Sequence, residues 1–588
     1  MSTLDPSARE LLIDALRPAS GTRFEAGVGT SFSVDLEALL LTPLAFARFD
    51  LDGAKADPGA ILAAVQRHAA RLALYCDAAH VRAREGDRLY VLLESSLLPV
   101  SAPRGGAFHP KLWVLRYRDE DGSPSHRILV LSRNLTFDRS WDLIVRLDED
   151  PSGAPVGRSA SAILGELNRL RASAVTAEMG RSVRSARFAP PPPFQSVKLH
   201  GVGFSDASHD PLADLRGERM LVMSPFLAAP RLRVLRGRAK RAVLVSRGEE
   251  LERLGHAALA DWGVPKVLKT PERGADEDPA GLHGLHAKLV VIDDGSTATW
   301  LVGSANATSA AIEHNTEAVL ELGGPVRRVG VRALLAPSDD RVTFATLLRD
   351  FPVENEEPIP QTPEELEEQR LEELAGEIAR RRATLTIAPT AQGYDAALRI
   401  DGPPPALHTG DRVRVRMVTQ TPWIPATLTA PVAAQLTASK ASELTALVQV
   451  EIAGDGPPIA PRRFVLLTEL HGAPSDRLDR LFLELISTPS GFIRMLFLLI
   501  AADDPTAADG QTVRAIIDNR GTEEATAVAL GIPLYEALVR ASGRDPALLR
   551  SIDQLVSRLE RTAEGRALIP DGFLDSWVAF RTVAGRST

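Results

Sequence analysis

Two stretches of this 588-residue chain carry the residue types that phosphate chemistry needs. The first is His109-Pro110-Lys111, followed by Ser132-Arg133-Asn134 and then Asp142. The second is His286-Ala287-Lys288, followed by Asp293, Gly303-Ser304-Ala305-Asn306, Asn315 and Glu317. A phosphodiester resists attack because it is anionic. Lys111, Lys288, Asn134 and Asn306 can neutralise and orient its non-bridging oxygens. Lysine serves as a compact charge with less angular demand than arginine. One neutral imidazole can attack phosphorus and form a phosphohistidine, and a second, protonated, can give the leaving oxygen its proton. Histidine titrates near neutrality, so one protein can hold one of each form. Such a scheme needs no metal and no cofactor, and no Cys/His/Asp cluster has zinc spacing. An acid behind each imidazole would fix its tautomer. Glu317 and Asp142 are the candidates, set against the reading of solvated or capping acids at strand ends. Ser132, Ser304 and Asn315 either contact phosphate or are small and polar residues at tight strand ends.

The elements that must position these groups alternate. LEALLLTPLAFARF reads as a helix, RLALYC and LYVLLES as strands, and HPKLWVLRY and HRILVLS as two more strands. After the run Pro190 to Pro193, a stiff connector, the same grammar resumes with MLVMSPF, RAVLVS, AKLVVID, TWLVGSAN and TEAVLELG. On a strand the i and i+2 side chains share a face, so each His-x-Lys pair should point one way. AGVGTSFS, with Gly27 and Gly29, lacks the lysine of a phosphate loop and reads as a turn. The expected fold class is α/β. Two tandem lobes with mixed, mostly parallel sheets occupy 1–187 and 196–350, joined by a Pro-rich connector, 188–195. A charged linker helix (351–383), a β-sandwich-like module (384–475) and a helical C-terminal region (476–588) follow.

Residues about 20–345 resemble the phospholipase D superfamily, whose signature is H-x-K-x4-D followed by G-S-x-N. His286, Lys288, Asp293, Gly303, Ser304 and Asn306 match it in full. The first copy departs: Arg116 stands where the aspartate belongs, and Leu131 replaces the glycine. With His109, Lys111, Ser132 and Asn134 it looks like the variant of tyrosyl-DNA phosphodiesterases. The resemblance implies one active site at a pseudo-twofold interface between lobes, an intramolecular pseudo-dimer. It also implies His109 as nucleophile and His286 as general acid.

Superfamily members act on nucleic acids and on lipids, so the motif does not select the substrate. The N-terminal MSTLDPSARELLIDALRP lacks an apolar signal core, and the apolar run from Met495 to Ala502 is too short to span a bilayer, so a cytoplasmic protein is expected. The single cysteine, Cys76, sits in an apolar run and reads as a buried thiol. The formal net charge of -8 weighs against a duplex-coating protein without excluding a basic groove. One candidate groove is the stretch with Arg231, Arg233, Arg236, Arg238, Lys240 and Arg241, set against a solvated helix face. Trp113 and Trp141 either stack on a base or pack the lobe. His283 reads as a loop residue. The expected activity is a nuclease or nucleic-acid end-processing phosphodiesterase, DNA favoured, with genome defence as a context. A helicase or another defence component is the expected kind of protein partner, and no membrane partner is expected. The alternatives are an intracellular phospholipase D or phosphatidyl transferase, and a non-enzymatic phosphate-binding scaffold.

Overall fold

A computed structural model describes residues 4, 11–46, 65, 67–137, 140–205, 209–269, 284–338, 342–486 (without 404 and 428–430) and 546–585 (without 571), with a few isolated positions between 488 and 538. His283 and most of the run Met495 to Ala502 lie outside the described residues.

The chain is mixed α/β with several mixed sheets. The first sheet is built from β1 (Thr22–Ser31), β2 (Leu72–Asp77), β3 (Leu97–Val100), β4 (Leu112–Asp119), β5 (Pro124–Leu131) and β6 (Ile144–Ala154), in the order β3-β2-β1-β4-β5-β6. The second uses β7 (Ser196–Val202), β8 (Gly217–Met223), β9 (Ala239–Val245), β10 (Lys266–Leu268), β11 (Leu289–Asp294), β12 (Thr297–Gly303), β13 (Glu317–Pro325) and β14 (Leu348–Asp350). Its order is β14-β10-β9-β8-β11-β12-β13-β7. Placing β1, β4, β5 and β6 over β8, β11, β12 and β13 matches the two orders. The sheets share one apolar core that includes Val28, Val114 and Val130 from the first and Leu221, Val291 and Leu320 from the second.

The expectation of mostly parallel sheets is corrected. Within these two sheets, among the described residues, β1/β2, β2/β3, β8/β9 and β9/β10 pair in parallel. The pairs β1/β4, β4/β5, β5/β6, β8/β11, β11/β12, β12/β13, β13/β7 and β10/β14 are antiparallel. The reason lies in the connections. DGSP and DGS between the motif-bearing strands are hairpin turns, too short for the crossover that a parallel pair requires.

Two other local readings change. LYVLLES folds as a 3₁₀ helix, Arg88–Leu93, whose cap Asp87 accepts the Leu89 N–H at 2.9 Å. A short apolar run fits either element, and the cap decided. AGVGTSFS is strand, not turn: Gly27 and Gly29 lie inside β1. A Cβ at Gly29 would come within 2.8 Å of both Leu74 and Trp113, so glycine makes room for the buried indole. Trp113 is thereby a core residue.

The helix Pro363–Ala379 opens with a capping box between Thr362 and Glu365. Beyond it, two four-stranded sheets share a core that includes Leu385, Leu398, Val415, Val450 and Phe464. Four helices, Arg477–Ile486, Pro546–Glu560, Ala563–Ala567 and Phe573–Gly585, are described after them. Phe482, Leu549 and Trp577 join the core that holds Phe24 and Leu74 of the first sheet. Among the described residues no helix is long and apolar enough to cross a membrane.

Candidate active site

Each His-x-Lys motif ends one residue before its strand, Lys111 before β4 and Lys288 before β11. Each serine follows the neighbouring strand, Ser132 after β5 and Ser304 after β12. The hydrogen bonds repeat in pairs. Lys111 Nζ donates to the His109 carbonyl at 3.0 Å, and Lys288 Nζ to the His286 carbonyl at 2.7 Å. Ser132 Oγ accepts the Leu143 N–H at 2.8 Å, and Ser304 Oγ the Ala318 N–H at 3.0 Å. Both serines therefore brace the strand that carries the acid, which explains a small hydroxyl at each position.

The two copies are stitched to each other. Phe108 bridges Thr316, and Leu285 bridges Trp141. The His109 N–H donates to the Thr316 carbonyl and the His286 N–H to the Trp141 carbonyl, both at 2.9 Å. The next residues along are then Glu317 beside His109 and Asp142 at the corresponding place for His286. Each copy thus sends its acid across the interface toward the other's histidine. Lys288 Nζ also donates to the Ser132 carbonyl at 3.3 Å.

Glu317 is fully buried and its carboxylate meets His109 Nδ1 at 2.9 and 3.0 Å. It also accepts from Ser304 Oγ, and from Asn315 Nδ2 at 3.3 Å. With Nδ1–H so held, the lone pair of His109 is on Nε2. The second half-site differs. His286 Nδ1 faces Lys288 Nζ at 3.4 Å, and Asp142 lies 3.6 Å from Arg133 Nη1. Asn134 Oδ1 and Asn306 Oδ1 are buried with no hydrogen-bond partner. A half-turn of either amide exchanges that acceptor for two donors. Such matched unsatisfied groups are costly unless a ligand completes them.

The electrostatics show the same deficit. Burial pushes His109 down to about 4; Glu317 opposes the drop and Lys111 and Lys288 add to it. His286 is pushed down to about 2, first by burial, then by Lys288, Lys111, His109 and Arg247. Lys111 falls to about 7 through burial, against the pull of Glu317, and Lys288 is held well below its ordinary range by burial and Lys111. Two imidazoles and two lysines therefore converge and disfavour one another's charge, with Glu317 and Asp142 as the acids that oppose this at Lys288. An anion between them would reverse each of these shifts.

Asp293 is placed elsewhere. Its carboxylate accepts the Val331 N–H at 3.0 and 3.2 Å, at the start of the short helix Val331–Leu334. There Asp293 ties strand to helix. Arg116, at the matching place, makes an equivalent tie of reversed sign, from β4 to Glu178 on the helix Ala174–Val183 at 2.6 Å and to Glu25 at 2.9 Å. That is why the first copy tolerates arginine there.

The arginine stretch is mostly committed to the fold. Arg231 pairs with Asp210, Arg236 binds the carbonyls of Asp261 and Ala239, and Arg238 those of Leu212 and Ala213. Trp141 stacks on Phe344, centroids 5.2 Å apart. Sequence reasoning passed over Arg247, whose Nε donates to the Leu285 carbonyl at 2.8 Å and whose charge bears on His286. Its guanidinium lies 5.1 Å from the ring of the exposed Phe226. The only signal was its place just past an apolar strand, RAVLVSR.

No protein-family model matches this chain, and the comparison with curated proteins found no match. Among solved structures, one similar chain is a yeast tyrosyl-DNA phosphodiesterase mutant, at 12% identity and a TM-score of 0.33, covering 58% of this chain and 90% of that one. Another is the polyphosphate kinase from Porphyromonas gingivalis, at 15% identity and a TM-score of 0.29, covering 54% of this chain and 42% of that one. At such scores neither likeness bears on function.

Proposed function

We propose that this chain is a metal-independent phosphodiesterase acting in the cytoplasm on nucleic acid, with one active site shared by two phospholipase D-like lobes. The observation that carries the reading is the convergence of buried His109, Lys111 and Lys288 with half-buried His286, all depressed, on a place lined by two asparagine side chains whose Oδ1 atoms have no partner. Such a cluster is complementary to a phosphodiester. His109 is the nucleophile, because Glu317 fixes its tautomer and leaves Nε2 free to attack phosphorus. The P–O bond to the leaving group breaks as the N–P bond forms. His286 gives the leaving oxygen a proton that substrate binding draws onto it, since the anion raises its affinity for protons. Water then attacks the phosphohistidine and gives a proton to His286, and the N–P bond breaks to free His109. Asp142 supports His286 from the other lobe.

Phe226 with Arg247 across its face favours nucleic acid over lipid. An exposed ring backed by a cation beside the phosphate site offers a stacking face to a base. DNA remains the favoured polymer, with genome defence alongside a helicase-like partner as the context.

The test offers the purified chain single-stranded DNA, duplex DNA, RNA and phosphatidylcholine vesicles in EDTA. Cleavage of nucleic acid that persists in chelator and disappears in His109→Asn and His286→Asn is expected. Lipid turnover with intact nucleic acid would reverse the substrate assignment, and no turnover of any phosphodiester would leave a phosphate-binding scaffold.

A further inference from the structure

We propose that Asp77 and His80 are positioning residues for His109, and that Glu372 and Arg462 tie this pair to the linker helix and the β-rich module. The inference rests on His109 being the nucleophile, as read above. The chain of contacts is continuous. Asp77, the last residue of β2, accepts the N–H of Phe108 on Oδ2 at 3.0 Å, immediately before His109. Its Oδ1 meets His80 Nδ1 at 2.8 Å and the Ala79 N–H at 3.2 Å. His80 Nε2 meets Glu372 Oε1 at 2.5 Å, on the helix Pro363–Ala379. Arg462, on the strand Arg462–Leu467 of the β-rich module, reaches Glu372 at 2.9 Å and the Ala79 carbonyl at 3.1 Å. The ring of Phe32 fills the remaining gap, its centroid 3.8 Å from that of His80 and 5.2 Å from that of His109.

A histidine between two carboxylates holds both only as an imidazolium, since each nitrogen must donate. Burial opposes that charge, but Asp77 and Glu372 outweigh it and raise His80 above its ordinary value. Glu372 is lowered in turn: burial opposes, and His80 and Arg462 prevail. The charged and titratable groups facing His80 are Asp77 from β2, Glu372 from the linker helix, Arg462 behind Glu372, and His109 and Lys111 across Phe32. If His80 loses its proton, one carboxylate loses its donor. When that carboxylate is Asp77, the Phe108 N–H loses a fixed acceptor. Phe108 is also the residue that bridges Thr316, so its placement sets how His109 meets Glu317. The second copy is held differently at the corresponding point, by Arg247 on the Leu285 carbonyl. The clamp is thus particular to the nucleophile's side, and it makes residues past 350 part of the catalytic apparatus.

The experiment compares the full chain with its Glu372→Gln, His80→Asn and Arg462→Met variants, using a fluorescent single-stranded oligodeoxynucleotide and NMR of isotope-labelled histidine rings. His109→Asn assigns the His109 signal. In Glu372→Gln the turnover number should fall about tenfold with KM unchanged. The alkaline limb of its pH profile should move to lower pH, because His80 loses one of the groups that keep it charged. The His109 ring signal should shift in Glu372→Gln and His80→Asn, and in smaller measure in Arg462→Met, with the melting temperature kept. Unchanged turnover, pH profile and His109 signal in both Glu372→Gln and His80→Asn would overturn the inference. If those variants are silent while His109→Asn is inactive, the clamp alone fails. If His109→Asn keeps full activity, the reading of the site fails with it.

Discussion

At the scale of the residue, the site is defined by what it lacks. Imidazoles pushed to about 4 and about 2, and a lysine to about 7, are neutral or half-charged at neutral pH. Their free forms therefore bind fewer protons than an anion would have them bind. Linkage fixes the sign: anion binding must take up protons, and must tighten as pH falls from about 8 to 6. Calorimetry of inorganic phosphate binding, in buffers of different ionisation heat, should show net uptake. Proton release on binding would contradict the assignment of charge. Glu317→Gln keeps the shape but offers His109 the wrong partner, and should lower turnover on the order of a hundredfold or more, as loss of tautomer control does elsewhere. Steady-state kinetics with retained phosphate affinity would confirm that the loss is chemical. Spacing alone singles out His109, Lys111, His286 and Lys288, because the motif is written twice, and each lysine bonds back to its own histidine's carbonyl. The same motif did not show that Asp293 caps the segment at Val331. Spacing places a residue on a strand but does not say that a helix N-terminus waits on the far side.

At the scale of the element, short strands met in pairs explain why the motif works. Each His-x-Lys sits in the extended segment just ahead of a strand. There its N–H is free to pair with the other copy's acid-bearing segment, as His109 does with Thr316 and His286 with Trp141. The hairpins that join β4 to β5 and β11 to β12 fix the register of lysine against serine. Those turns are visible in the sequence, and their shortness dictates the antiparallel pairing. The glycines of β1 were not readable as strand residues, since glycine weakens a strand unless something large leans on it. Gly29→Ala tests that account: the added methyl would sit at 2.8 Å from Trp113 and Leu74. A loss of about 1–3 kcal/mol in denaturant unfolding is expected. A neutral or stabilising effect would mean that Trp113 is free to move aside.

At the scale of the whole molecule, the mixed α/β class was legible from alternating apolar runs, whereas the core shared between the two sheets was not, because strand order cannot be read from hydrophobic runs alone. The relation of the later residues to the site was not legible either. His80, Glu372 and Arg462 lie far apart in the chain, and an isolated His, Glu or Arg carries no spacing to read. Only folding shows that the linker helix and the β-rich module reach the first sheet beside His109. The repeat also predicts a division of labour, since Glu317 holds His109 directly while His286 faces Lys288. The most direct measurement is to stop single-turnover reactions of the His286→Asn variant with denaturing alkali and locate any covalent adduct by mass spectrometry. The account predicts a phosphoryl-linked substrate fragment on His109, lost in acid, and none when His109 is asparagine. An adduct on His286 in the wild type, or turnover with inversion at phosphorus and no adduct in any variant, would contradict it.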